Sequence, residues 1–71
     1  MLSEREKEVL RLFCLVNPKI AKRLFIQTSS VRTHTVNIFS KLNCNSKAAA
    51  VVKAIKLGLI DIEDVEINER S

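Results

Sequence analysis

The apolar residues of this chain fall into four helical stretches separated by short polar or turn-forming breaks. In the first, "SEREKEVLRLF", Glu6, Val9, Leu10 and Phe13 share one side. Ser3 followed by Glu6 three residues on is a capping box, and acids in the first turn complement the helix dipole. The pattern predicts a helix over 3–15. Asn17-Pro18 then reads as an N-cap followed by a proline at the first helical position, opening a short helix over 18–24. That helix buries Ile20, Ala21 and Leu24 and leaves Lys19, Lys22 and Arg23 outside. "FIQT" forms a turn, and Thr28 is the expected cap of a third helix over 29–42. Asn43 stands where a glycine usually ends a helix, Ser46 caps a fourth helix over 47–57, and Gly58 ends it. The remaining "LIDIEDVEINERS" is acidic and alternates weakly, as a frayed tail or a strand without a partner would. The expected fold is therefore all-α: a compact four-helix domain over 1–60, containing a helix-turn-helix, with a flexible acidic tail over 61–71.

The third stretch, "SSVRTHTVNIFSKL", is unusual for a surface helix. On a helical wheel Val31, His34, Thr35, Ile38 and Leu42 fall on one side, with Phe39 at the border. Opposite them lie Ser29, Arg32, Thr33, Val36 and Ser40, with Ser30, Asn37 and Lys41 on the flanks. A solvated face normally carries Glu, Lys and Gln. Ser, Thr and Val are each poorer helix formers by roughly a few tenths of a kcal/mol, so packing must hold this helix. Short side chains let the backbone approach another surface closely. The DNA major groove admits one helix, and there Arg can bond guanine, Ser or Thr can bond base edges, and Val can meet a thymine methyl. A short helix, a tight turn and a longer helix with such a face make a helix-turn-helix.

Charge sharpens this picture. Between Val9 and Ile60 there are nine Lys or Arg and no Asp or Glu, while acids lie on both sides of that stretch. One sign of charge over so long a segment suggests a polyanionic partner. With no Trp or Tyr the chain lacks the anchors of a membrane-surface helix, and no apolar run is long enough to span a bilayer. The N-terminus lacks a signal-peptide layout, so the expected location is cytoplasmic. Cys14 and Cys44 are isolated, which points to small, mostly buried thiols rather than a metal or redox site. His34, at the edge of the buried side, reads as a structural histidine bonded within the domain. No second histidine, acidic cluster or nucleophile–base pair accompanies it, so neither an enzyme, nor a metal site, nor a cofactor is expected.

Four segments in order, "LSEREKEVLRLF", "KIAKRLFI", "SSVRTHTVNIFSKLN" and "SKAAAVVKA...GLI", resemble the LuxR/GerE-type helix-turn-helix domain found in NarL-like response regulators. The resemblance covers residues 2–60. It implies a four-helix DNA-binding module of a transcription regulator, dimeric on double-stranded DNA through the fourth helix, with a receiver or sensor domain as a further partner if the chain is a fragment. By resemblance, Arg32, Thr33 and Val36 match the positions that face bases, and Lys19, Asn37 and Lys41 match positions near the phosphate backbone. Ser29 and Ser30, at the head of the same helix, join the expected phosphate contacts. Lys22 and Arg23 read equally as phosphate contacts or as solvated residues. Two departures stand out. "FCLVNPK" between Leu12 and Ile20 is about two residues shorter than the family pattern and lacks its glycine, and Gln27 heads the third-helix motif.

Helix four is more apolar than one buried stripe requires. Eight of the ten residues from Ala48 to Leu57 are apolar. With Ala50, Val51 and Ala54 facing the core, Ala48, Val52 and Ile55 form a second stripe, the expected dimer interface; cover by the rest of a longer chain would also account for it. Three functions follow from these observations. The chain is a sequence-specific DNA-binding domain, a helical protein-interaction module docking through helix four, or a non-specific nucleic-acid binder acting by charge alone.

Overall fold

The computed structural model describes residues 2–66 of the 71-residue chain. These form four α-helices and a short 3-10 turn, with no strand: α1 (Glu4–Arg11), α2 (Asn17–Leu24), α3 (Thr28–Leu42), α4 (Lys47–Lys56) and the turn Ile62–Asp64. Helix α3 packs against all three others, and α1 also meets α4. The core between them holds Val9, Leu10, Ile20, Val31, Ile38, Ala50 and Ala54, all fully buried. Among the described residues, no helix is long and apolar enough to cross a membrane.

The expected helices are present, with shifted ends. Helix α1 stops at Arg11 rather than at 15. The chain then tightens into 3-10-type bonds, Phe13 N–H donating to the Leu10 carbonyl at 3.1 Å and Leu15 N–H to Leu12 at 2.8 Å. The shortened connection is thus a wound turn that sets Phe13 and Leu15 into the core. Asn17 and Thr28 are first residues of their helices instead of caps. Val16 and Gln27 hold the cap positions, and neither makes a side-chain cap bond. Ser3 and Ser46 cap as their sequence signals require, Ser3 within a complete capping box.

Helices α2, α3 and α4 all end by one device. A left-handed residue, Phe25 (φ 58°), Asn43 (φ 55°) or Gly58 (φ 74°), reverses the chain. The next N–H then reaches back five residues: Ile26 to the Ala21 carbonyl, Cys44 to Phe39, Leu59 to Ala54. These are Schellman bonds, and they satisfy carbonyls that a helix end leaves open. Beyond Gly58 the described part of the expected tail, residues 61–66, forms the 3-10 turn and returns to the body, where Glu66 N–H donates to the Arg11 carbonyl at 2.7 Å. The rest of that tail, 67–71, lies outside the described residues.

One buried carboxylate joins α1 to α3. Glu6 is 5% exposed. Its Oε1 accepts from the Ser3 backbone N–H at 2.9 Å and from the Lys41 ammonium at 2.8 Å. Burial alone pushes this carboxyl up, but the bonds from Lys41 and Ser3 and the charge of Lys41 outweigh it and hold the group below its ordinary value. A carboxyl lowered in the folded state stabilises above its unfolded value of about 4.3, and that contribution is lost as pH falls through the folded value. Glu6→Gln should therefore lower stability at pH 7 by about 1–3 kcal/mol, because it removes a buried carboxylate that pairs with the partly exposed Lys41 at a helix cap. Its loss of stability on acidification from pH 5 to 3 should also be shallower than that of the wild type. Urea titrations across that range decide the matter, and parallel acid arms for the two proteins would refute it.

Candidate nucleic-acid interface

Helices α2 and α3, joined by the three residues Phe25, Ile26 and Gln27, form a helix-turn-helix hairpin. Val31, Ile38 and Leu42 are buried on one side of α3, and His34, Thr35 and Phe39 are half-buried at its margins. The Phe39 ring meets that of Phe13 edge to face, centroids 6.1 Å apart, which pins the C-terminal part of α3 to the turn after α1. Held this way, α3 turns Ser29, Arg32, Thr33, Val36, Asn37, Ser40 and Lys41 outward. Val36 is 65% exposed on this face. The expected base-facing set, Arg32, Thr33 and Val36, is thus accessible on a single face. The Thr33 hydroxyl donates to the Ser29 carbonyl at 3.2 Å, leaving its oxygen able to accept.

The expected phosphate set is less uniform. Lys19, Ser29 and Asn37 are exposed, and Ser30 is half-buried. Lys41 is the residue that bonds Glu6, so its ammonium has an internal role that the sequence did not signal. On α2, Lys19, Lys22 and Arg23 line one open concavity of about 370 Å³. Gln27 makes no side-chain cap, and the dipole of the fifteen-residue α3 points its positive end toward this hairpin's turn.

Sequence reasoning missed Lys47, counted only as one charge among nine. Its ammonium donates to the Leu15 carbonyl at 3.2 Å and to Asn17 Oδ1 at 2.7 Å, and lies 5.6 Å from the centre of the Phe13 ring. Burial pushes it below its ordinary value. Lys47 therefore ties the N-terminus of α4 to the shortened α1–α2 turn. Lys47 lies 30 residues from Asn17, and no local pattern marks that contact. Among the described residues, Lys19, Lys22, Arg32, Lys53 and Lys56 make no ion pair. His34 makes no hydrogen bond to a described residue, so the expected internal bond is not among the contacts seen.

The expected stripe on α4 divides. Ala48 and Val52 are exposed and line an open groove of about 460 Å³ with Ala49, Lys53 and Lys56. A second groove, with Phe13, Cys14 and Val51, adjoins it. Ile55 instead is half-buried and packs on the core, because it lies nearer the Val51 side of the helix. Cys14 is exposed, against the expectation of burial, since the chain leaves α1 four residues early. Cys44 is half-buried, and both thiols are free.

Comparison with known proteins supports the helix-turn-helix fold. The family model of the luxR family of bacterial regulatory proteins matches residues 1–54. Over 63 residues the chain is 41% identical to the probable transcriptional regulatory protein NarL of Mycobacterium tuberculosis, covering 86% of this chain and 29% of that protein. It is 40% identical over 63 residues to the oxygen regulatory protein NreC of Staphylococcus carnosus, with 86% and 29% covered. The spore germination protein GerE of Bacillus subtilis is 36% identical over 66 residues, with 87% of this chain and 86% of that protein covered. The chain thus spans less than a third of NarL and NreC but most of GerE. No solved structure matches it.

Phe25, in the turn of the hairpin, is 94% exposed and sits at φ 58°. A bulky residue there carries a left-handed strain of about 1–2 kcal/mol that glycine avoids, against a glycine entropy cost of about 0.5–1 kcal/mol. Phe25→Gly should raise stability by roughly 0.5–1 kcal/mol. A lower midpoint in thermal or urea unfolding would show instead that the ring makes a stabilising contact.

Proposed function

The chain belongs to the luxR family of bacterial regulatory proteins, and from that premise we propose that it binds specific double-stranded DNA in the cytoplasm, as a transcription regulator or the output domain of one. Helix α3 enters the major groove. Arg32 bonds a guanine edge, Thr33 bonds a base edge, and Val36 meets a thymine methyl. Lys19, Ser29, Ser30 and Asn37 contact flanking phosphates, with Lys41, held by Glu6, at the far end of the set. The observation that carries this reading is the outward face of α3. It has short side chains around Arg32, uncharged but for Lys41 near the C-terminal end, on a helix that packing rather than propensity sustains.

Specificity supplies the first test. A bidentate arginine–guanine contact is worth about 1–3 kcal/mol of discrimination. Arg32→Ala should lose preference at one base pair while non-specific affinity falls much less, and Val36→Ser should relax a thymine preference without changing the salt slope. Duplexes selected from a random pool, then substituted one base pair at a time and competed against each other, measure both effects. Uniform weakening on every duplex would make Arg32 a phosphate contact and remove it from the groove.

The groove on α4 supports a twofold contact between two copies on paired half-sites, centred on Ala48 and Val52, whereas Ile55 lies outside its lining. Small residues allow two helices to approach closely there. A receiver or sensor domain in a longer protein would supply the input. Val52→Glu should leave the circular dichroism spectrum unchanged and abolish cooperative binding to paired half-sites. Retained cooperativity would rule out this face. Capture of a different protein partner by α4, surviving high salt and nuclease, would favour an interaction module instead.

A further inference from the structure

The acidic segment after α4 returns to the body of the domain. Gly58 reverses the chain, Ile60 is buried, and Val65 packs against the core. The Glu66 N–H then bonds the Arg11 carbonyl at 2.7 Å, which fixes where the Glu66 side chain starts. Its carboxylate Oε2 accepts from Arg23 Nη2 at 3.2 Å, across 43 residues of sequence. Arg23 is one edge of the concavity it lines with Lys19 and Lys22 on α2. Spacings of three and four residues put these cations on one helix face.

To a guanidinium, a carboxylate and a phosphate present the same chemistry: paired oxygens carrying negative charge. We infer that this concavity is a seat for a backbone phosphate of nucleic acid, and that the chain's own Glu66 carboxylate holds its Arg23 edge and competes with that phosphate. The inference rests on the DNA-binding reading and adds Lys22, Arg23 and an internal competitor to it. The side chains of Arg23 and Glu66 are 50% and 42% exposed, so the pair is weak and exchangeable. A phosphate gains in addition from the counterions it releases, so DNA displaces Glu66. The acidic turn beside it, with Asp61, Glu63 and Asp64, adds field of the same sign. Glu66 is thus a brake that low salt strengthens and high salt relaxes.

The test uses the full chain on one duplex over a range of salt concentrations, read by fluorescence anisotropy. Glu66→Gln should tighten binding roughly two- to five-fold at low salt, as loss of an exposed ion pair allows. The gain should fade at high salt, which steepens the slope by a fraction of the roughly 0.9 that one phosphate contact carries. In an Arg23→Gln background the same change should do almost nothing. Glu63→Gln, at a carboxylate without an ion pair among the described residues, should do less than Glu66→Gln. An equal gain with and without Arg23, or an equal gain from Glu63→Gln, would reduce the effect to net charge and overturn the inference. Wild-type binding that Glu66→Gln leaves unchanged would sink this inference alone. No duplex binding by any of these proteins would sink the DNA-binding reading and this inference with it.

Discussion

Helix α3 has to be held in place by its neighbours, because its own sequence supports a helix poorly. Seven of its fifteen residues are Ser, Thr or Asn, with further Val and Ile, and its first turn lacks a side-chain cap. What holds it is burial of Val31, Ile38 and Leu42 against three other helices, the edge-to-face contact of Phe39 with Phe13, and the Lys41–Glu6 bond near its C-terminal end. This division of labour leaves the outward face, Lys41 apart, without any duty to stabilise the fold. Ser29, Arg32, Thr33, Val36 and Asn37 are then available for another surface. The other three helices are a cradle for that face, and their end devices serve to place it.

The positive charge of the chain is spent in two ways. Lys47 clamps the turn after α1, and Lys41 completes the coordination of a buried carboxylate, so both belong partly to the fold. Lys19, Lys22 and Arg32 lie on the α2–α3 hairpin without an ion pair among the described residues, and Arg23 is held only by an exposed carboxylate. A net charge read from sequence counts all of these alike. Lys53 and Lys56 on α4 are likewise exposed and without an ion pair among the described residues, so the cations open to a polyanion are fewer than that count and lie on both the hairpin and α4.

Much of this could be read directly from residue order. Helical periodicity located four helices because each needs one apolar stripe to bury, and Ser3-Glu6, Ser46, Asn43 and Gly58 marked ends through local chemistry. The outward set of α3 followed from a wheel that requires only a regular helix, and Arg32, Thr33 and Val36 are accessible as it implies. Where local signals competed, the reading slipped by a residue or more. Asn17 and Thr28 can cap a helix, but here the backbone enters the helix one residue earlier. The apolar run Leu12-Phe13 continues the pattern of α1, yet the chain tightens there to bring Phe13 and Leu15 inward.

Sequence by itself determined the number and order of the helices, the face of α3 that points away from the core, and the family resemblance, since all three depend on spacing within short segments. Only the tertiary structure decided which charged and polar groups meet. Glu6 and Lys41 are 35 residues apart, Lys47 and Asn17 are 30 apart, and Arg23 and Glu66 are 43 apart. It also decided that Ile55 leaves the exposed stripe of α4 for the core while Ala48 and Val52 stay outside. The physical reason is the same in each case. A helix's period fixes directions about its own axis, but which direction meets a neighbour, and which ion meets a counter-ion, is set by how the helices pack.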